Sequence, residues 1–168
     1  IIVSITYTDR FYTSDLFYKN IRDLLITYPF LQSENIGFSV LGNPIPYVRL
    51  GRGPKHVFYS ASIHANESIT SNVLMKFIED FCIAYVGNDE IFGINARTIF
   101  NNSSIYIVPM CNPDGVNLVN GAYPVGSTTY SRAQSISQNY PSITFPNGWK
   151  ANINGEILIN FHHFIFKK

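Results

Sequence analysis

The segment His64-Ala65-Asn66-Glu67 sets an imidazole and a carboxylate three residues apart. An open catalytic zinc site takes three protein ligands from such donors and leaves a further position to water or substrate. On that reading His64 and Glu67 are metal ligands, and a third must come from elsewhere. The spacing has a second reading, because a glutamate at a helix start also offsets the positive end of the helix dipole with no metal involved. The neighbours His162 and His163 are candidates for the third position, but adjacent residues on a strand point to opposite faces, so at most one could turn toward a shared ion. His56 reads as a surface histidine where a strand begins. Asn112-Pro113-Asp114-Gly115 is a strong turn signal, with Pro fixing φ and Gly accepting positive φ. At a pocket rim Asn112 and Asp114 would also be substrate-binding candidates. Arg132 and Arg97 are the remaining basic residues that could meet a substrate carboxylate.

Elements of regular structure must carry these side chains. Apolar residues at near-helical spacing from Leu16 to Tyr28, opened by Ser14-Asp15 and stopped by Pro29, predict an amphipathic helix. Residues 36–41 and 46–50 read as two strands joined by Gly42-Asn43-Pro44, whose turn chemistry suits a hairpin. Residues 56–63 form a nearly continuous apolar run, as expected of a strand buried on both faces. A second helix is predicted from Glu67 or Ser68 to Tyr85, a weaker helical patch over 90–99, and a buried strand over 104–110. Strand, helix, strand at this separation makes a β-α-β unit with a parallel pair. His64 and Glu67 then sit at the C-terminal end of the first strand, where α/β sheets place their sites. Residues 112–150, rich in Pro, Gly, Ser, Thr and Asn, show no period and read as a long loop, functional or disordered. Residues 157–161 look strand-like.

Three ordered blocks carry a family resemblance: residues 57–71 around Ser62-Ile63-His64-Ala65-Asn66-Glu67-Ser68, then 74–80, then Ile105-Tyr106-Ile107-Val108-Pro109-Met110-Cys111-Asn112-Pro113-Asp114-Gly115-Val116. Together they closely resemble the zinc carboxypeptidase superfamily. Within it, Trp149-Lys150-Ala151-Asn152-Ile153 and Tyr28-Pro29-Phe30-Leu31 are similar to the γ-D-glutamyl-diamino acid endopeptidase subgroup. The resemblance implies an α/β fold with a mixed sheet flanked by helices, and one Zn2+ held by His64, Glu67 and a later histidine. It also implies a glutamate base, a cation that steadies the oxyanion or a substrate carboxylate, and a peptidoglycan stem peptide as substrate. The family's third histidine and general-base glutamate follow the blocks present here. Gly155-Glu156-Ile157-Leu158-Ile159-Asn160-Phe161 stands where the family reads Gly-Val-Asp-Leu-Asn, and Asn154 stands where an arginine is usual. The expectation is therefore the N-terminal half of one such domain over residues 1–168, truncated and without turnover on its own, its zinc weakly held or absent.

Composition narrows the partners. The 168 residues carry 12 Lys+Arg against 11 Asp+Glu, so no basic stripe exists to drive binding to nucleic acid or an anionic membrane. The opening residues lack a basic region and meet Asp9-Arg10 before signal or spanning length, so a cytoplasmic location is the default. Cys82 and Cys111 lie in apolar contexts and read as buried thiols. Only 14% of residues are charged while 15% are aromatic, which suggests surface meant to be covered. An exposed sheet edge or apolar face would then favour a homo-oligomer. Two further readings stand beside the inactive half-domain: a muropeptide-binding or self-associating module without catalysis, and an active peptidase with an improvised third ligand.

Overall fold

The computed structural model describes residues 4–7 and 9–158. Helix α1 (Ser14–Thr27) ends two residues ahead of Pro29, with the Tyr28 amide bonded back to the Leu24 carbonyl. Strands β1 (Gln32–Phe38) and β2 (Pro44–Gly51) form the antiparallel hairpin, with a register break between Asn35 and Gly37. Strand β3 (Lys55–Ser60) leads across helix α2 (Ile69–Gly87) to β6 (Ser103–Val108), which runs parallel to β3 and antiparallel to β2. The sheet order is β1-β2-β6-β3, so the mixed sheet and its β-α-β crossover match the expectation. Gly53 makes the turn into β3 passable: a Cβ there would lie 2.0 Å from the carbonyl carbon of Asn102.

Alternation along β2 and β6 sends Val48, Leu50, Ile105 and Ile107 to one sheet face, where they pack with Phe17, Leu24, Met75, Ile78 and Phe81 of α1 and α2. The intervening residues Tyr47, Arg49 and Tyr106 occupy the opposite face and are only half-buried. There the Tyr47 and Tyr106 rings lie 5.7 Å apart and the Arg49 guanidinium stands 5.5 Å from the Tyr106 ring centre.

Four expectations require correction. β3 is a boundary strand of the described sheet and not a strand buried on both faces: Val57 is 37% and Tyr59 46% exposed. The apolar run is the same in both situations, since composition does not reveal whether a neighbour is present. Residues 90–99 split into two short antiparallel strands, β4 (Glu90–Ile91) and β5 (Ile94–Asn95), followed by α3 (Ala96–Asn102), because the Asn95 side chain caps the helix by accepting from the Arg97 and Thr98 amides. Residues 112–150 are not without regular structure. They hold α4 (Pro113–Val119), with Asn112 as its cap and Pro at its start, and α5 (Thr128–Ser137), capped by Ser127. Asn112-Pro113-Asp114-Gly115 thus opens a helix where a turn was expected. Residues 157 and 158 are described and lie outside any strand, and the remainder of the run 157–161, with His162 and His163, lies outside the described residues.

Both cysteines are free and buried, as expected. No described helix is long and apolar enough to cross a membrane.

Candidate metal centre

β3 stops at Ser60 and the chain needs eight residues to turn into α2. Ser62, in that turn, is a non-glycine residue at φ +46°, a left-handed conformation that side chains rarely adopt. Two residues on, His64 Nδ1 lies 3.0 Å from Glu67 Oε1, and both side chains are partly open to solvent. The structure therefore brings the two sequence-identified donors together at the C-terminal end of β3. Two ligands each about 2.0–2.1 Å from one ion at a tetrahedral angle sit roughly 3.3 Å apart. The observed separation is close to that, and imidazole with carboxylate is a donor set that suits zinc, so the pair fits two corners of such a site. Among the described residues no third His, Cys, Asp or Glu completes a metal-binding group.

Neighbouring segments fix this corner. The Ala65 amide donates to the Lys150 carbonyl at 3.1 Å, which seats residues 149–153 beside the histidine loop. Asn112 Nδ2 donates to the Ala151 carbonyl at 3.1 Å, and Asn112 Oδ1 accepts from the Gly115 amide. Gly115 is where these segments meet. A Cβ there would lie 2.6 Å from Asn112 Nδ2, 2.7 Å from the Ala65 Cβ and 2.8 Å from the Ala151 carbonyl oxygen. Lys150 brings its own charge: its Nζ stands 4.0 Å from the same Glu67 oxygen.

The other candidates are placed differently. Asp114 is buried, and its carboxylate accepts from Ser39 Oγ at 2.8 Å, the Leu41 amide at 2.9 Å and Asn43 Nδ2 at 2.7 Å, so it fastens the β1–β2 turn to α4. Asn112 is likewise buried, with its amide group engaged as above. Arg132 is exposed on α5. Arg97 donates to the Tyr85 and Val86 carbonyls and so closes the C-terminal end of α2. His56 is exposed on β3, its ring centre 5.6 Å from that of Tyr106. Burial pushes the Cys111 thiol up to about 12, against the lowering effect of a backbone hydrogen bond from Ala61, so it carries no thiolate near neutral pH.

Residues 17–158 match the family described as zinc carboxypeptidase. The chain belongs to that family. Among its relatives, gamma-D-glutamyl-L-diamino acid endopeptidase 1 of Lysinibacillus sphaericus is 41% identical over 144 residues, which is 86% of this chain and 36% of that protein. The uncharacterized protein YqgT of Bacillus subtilis (strain 168) is 36% identical over 149 residues, 88% of this chain and 39% of the relative. The chain thus spans about two-fifths of the length of these relatives. In fold it is similar to thrombin-activatable fibrinolysis inhibitor, with a TM-score of 0.63 at 18% identity over 89% of this chain and 31% of that one. The bovine form in complex with tick carboxypeptidase inhibitor gives a TM-score of 0.59 at 18% identity, over 88% and 38% of the two chains.

Two residues beside the pair are not singled out by the sequence: Lys150, and Thr70, whose hydroxyl accepts from the Ser62 amide at 2.9 Å and donates to the Glu67 carbonyl at 2.8 Å. Lys150 lies within Trp149-Lys150-Ala151-Asn152-Ile153, more than eighty residues beyond Glu67 in sequence, and only the folded chain brings its charge near that carboxylate. Thr70 is one helical turn beyond Glu67, a spacing that brings side chains to one face, but nothing in the sequence tied it to Ser62.

Proposed function

We propose that this chain carries the metal-gripping portion of a peptidase that cleaves a peptidoglycan stem peptide between γ-D-glutamate and the diamino acid. The observation that carries this reading is the 3.0 Å approach of His64 Nδ1 and Glu67 Oε1 at the end of β3. The substrate class rests on the 41% identity to a relative named for the γ-D-glutamyl-L-diamino acid bond. His64 and Glu67 would hold the zinc, which when bound supplies Lewis acidity and a water of lowered pKa. Lys150 adds a positive charge that favours a developing oxyanion or a substrate carboxylate. Arg132 offers a second, more distant cation, and Asn112 and Asp114 act on substrate through the loops they hold.

Residues 4–158 contribute two ligands and no general base beside them, so we infer that this portion binds zinc weakly and does not turn over by itself. β3, the boundary strand of the described sheet, and the half-buried sheet face favour association with a second copy. Metal analysis of the purified chain, with hydrolysis of a γ-D-glutamyl-diaminopimelate peptide with and without added zinc, tests the reading. Weak binding that is lost in His64→Ala and Glu67→Ala, with no turnover, is the expected result. Wild-type chain that binds no more zinc than His64→Ala refutes the assignment of the site, and zinc-dependent hydrolysis refutes the inference of inactivity.

A further inference from the structure

We propose that the Thr70 hydroxyl is the positioning group that holds His64 and Glu67 in ligating geometry. The inference rests on the metal-site reading above and extends it to a residue that touches neither donor atom. A hydroxyl has one hydrogen to give and lone pairs to accept with. Thr70 Oγ1 gives its hydrogen to the Glu67 carbonyl at 2.8 Å and accepts the Ser62 amide at 2.9 Å. One side chain on the first turn of α2 therefore clasps both ends of the loop 62–67, with His64 between them.

The clasp has strain to hold. Ser62 at φ +46° is a strained, non-glycine left-handed residue, and such a residue persists only where its surroundings leave it no alternative. Those surroundings are polar and specific. Ser62 Oγ lies 2.6 Å from Ser71 Oγ, and Ser71 Oγ donates to the Pro109 carbonyl beyond the end of β6. Ser71 therefore ties the loop to the neighbouring parallel strand, and Thr70 ties the loop to itself. Without the Thr70 oxygen, the Ser62 amide loses its acceptor and φ near +46° is held only through the Ser62 hydroxyl, which bonds Ser71 Oγ and the Glu67 carbonyl. The turn then relaxes, and His64 swings relative to Glu67. Groups that orient metal ligands without touching the ion typically contribute 10–100-fold in affinity.

The test compares Thr70→Val, which keeps shape and removes the hydroxyl, with Thr70→Ser, which keeps the hydroxyl. Zinc and cobalt affinity are measured on the full chain, together with through-space NMR contacts between the His64 ring and the Glu67 side chain in the metal-free chain. Thr70→Val should bind either metal 10–100-fold more weakly and lose the ring contact, while Thr70→Ser should stay within about threefold of wild type. If Thr70→Val loses its helical circular dichroism, the same comparison is made in a Ser62→Gly background, where the left-handed turn carries no side-chain penalty. An unchanged ring contact and unchanged affinity in the valine variant overturn the inference. A wild-type chain without metal affinity would refute the metal-site reading alone, because the metal-free ring contact still decides the role of Thr70.

Discussion

Glu79, near the middle of α2, is 1% exposed and bonds to four groups of the N-terminal segment: the Ser4 and Thr6 hydroxyls and the Ile5 and Thr6 amides. Glu79→Gln keeps the side-chain shape but leaves one acceptor oxygen and turns an NH2 group toward the remaining donors. The Thr6 amide and hydroxyl are buried and cannot recover a partner from water, whereas Ser4 and Ile5 are partly open. Hydrogen bonds to a charged group contribute about 1.5–3 kcal/mol each, so misdirecting the two buried ones should cost about 3 kcal/mol. For a domain of this size that is a fall of roughly 6–12 °C in Tm. The loss also depends on pH. Burial alone would raise the Glu79 carboxyl, but the bonds from Thr6, Ile5 and Ser4 outweigh it and hold the group below its ordinary value. A carboxyl lowered in the folded state contributes stability above its unfolded pKa, and that contribution disappears as pH falls through the folded pKa. Wild type should therefore lose stability below about pH 4.5 more steeply than Glu79→Gln, which takes up no proton there. Urea unfolding at pH 7 and at steps down to pH 3 measures both effects. Equal midpoints at pH 7, or parallel acid slopes for the two proteins, would refute the role assigned to the carboxylate.

Other outcomes follow from the same contacts. Asp114→Ala strands the donors of Ser39, Leu41 and Asn43 and should cost about 2–3 kcal/mol in denaturant unfolding, with faster amide exchange at Leu41, and Asp114→Asn should lose less because one oxygen still accepts. Lys150→Ala removes the only Lys or Arg charge within 4.0 Å of Glu67 among the described residues, so metal titrations should show tighter zinc binding by about two- to fivefold, the size expected of a half-exposed charge pair. Cys82 and Cys111, both raised by burial, should resist iodoacetamide at pH 7.5 until the protein is unfolded, as read by mass spectrometry. Val57→Lys with Tyr59→Lys places charge along the β3 boundary and should reduce self-association in sedimentation velocity. Equal sedimentation of wild type and variant would set that surface aside.

The β-α-β unit and the His64–Glu67 pair were legible because each is local: a strand run, a four-residue motif and an amphipathic helix follow one another without interruption. What could not be read depends on residues distant in sequence. The β3 run looks the same whether or not a strand lies beside it, so Val57 and Tyr59 gave no sign of their exposure. Asn112-Pro113-Asp114-Gly115 has turn chemistry and helix-opening chemistry at once, and Asp114 settles into the second because its partners are at 39–43, on the first hairpin. Helix α5 escaped the periodicity test because Tyr130 and Ala133, with Trp149, close a small satellite core that has few apolar residues per turn.

The buried and half-buried polar groups of α2 explain how a chain with so few charges fixes its site. Thr70 holds the histidine loop and Ser71 reaches the Pro109 carbonyl, while Asn72 Nδ2 donates to the Tyr7 carbonyl at 2.7 Å and Glu79 grips residues 4–6. Apolar packing alone would let the helix slide or turn by small steps at low cost. Directional bonds at four positions along it do not, because an unpaired buried donor or acceptor costs about 1–3 kcal/mol. The pins nevertheless divide in function by distance from the loop. Glu79→Gln should lower the unfolding free energy while the folded fraction retains wild-type zinc affinity, and Thr70→Val should lower affinity more than stability. If the two variants changed both quantities in the same proportion, α2 would be acting as one rigid block, and the separate role of its first turn would be lost.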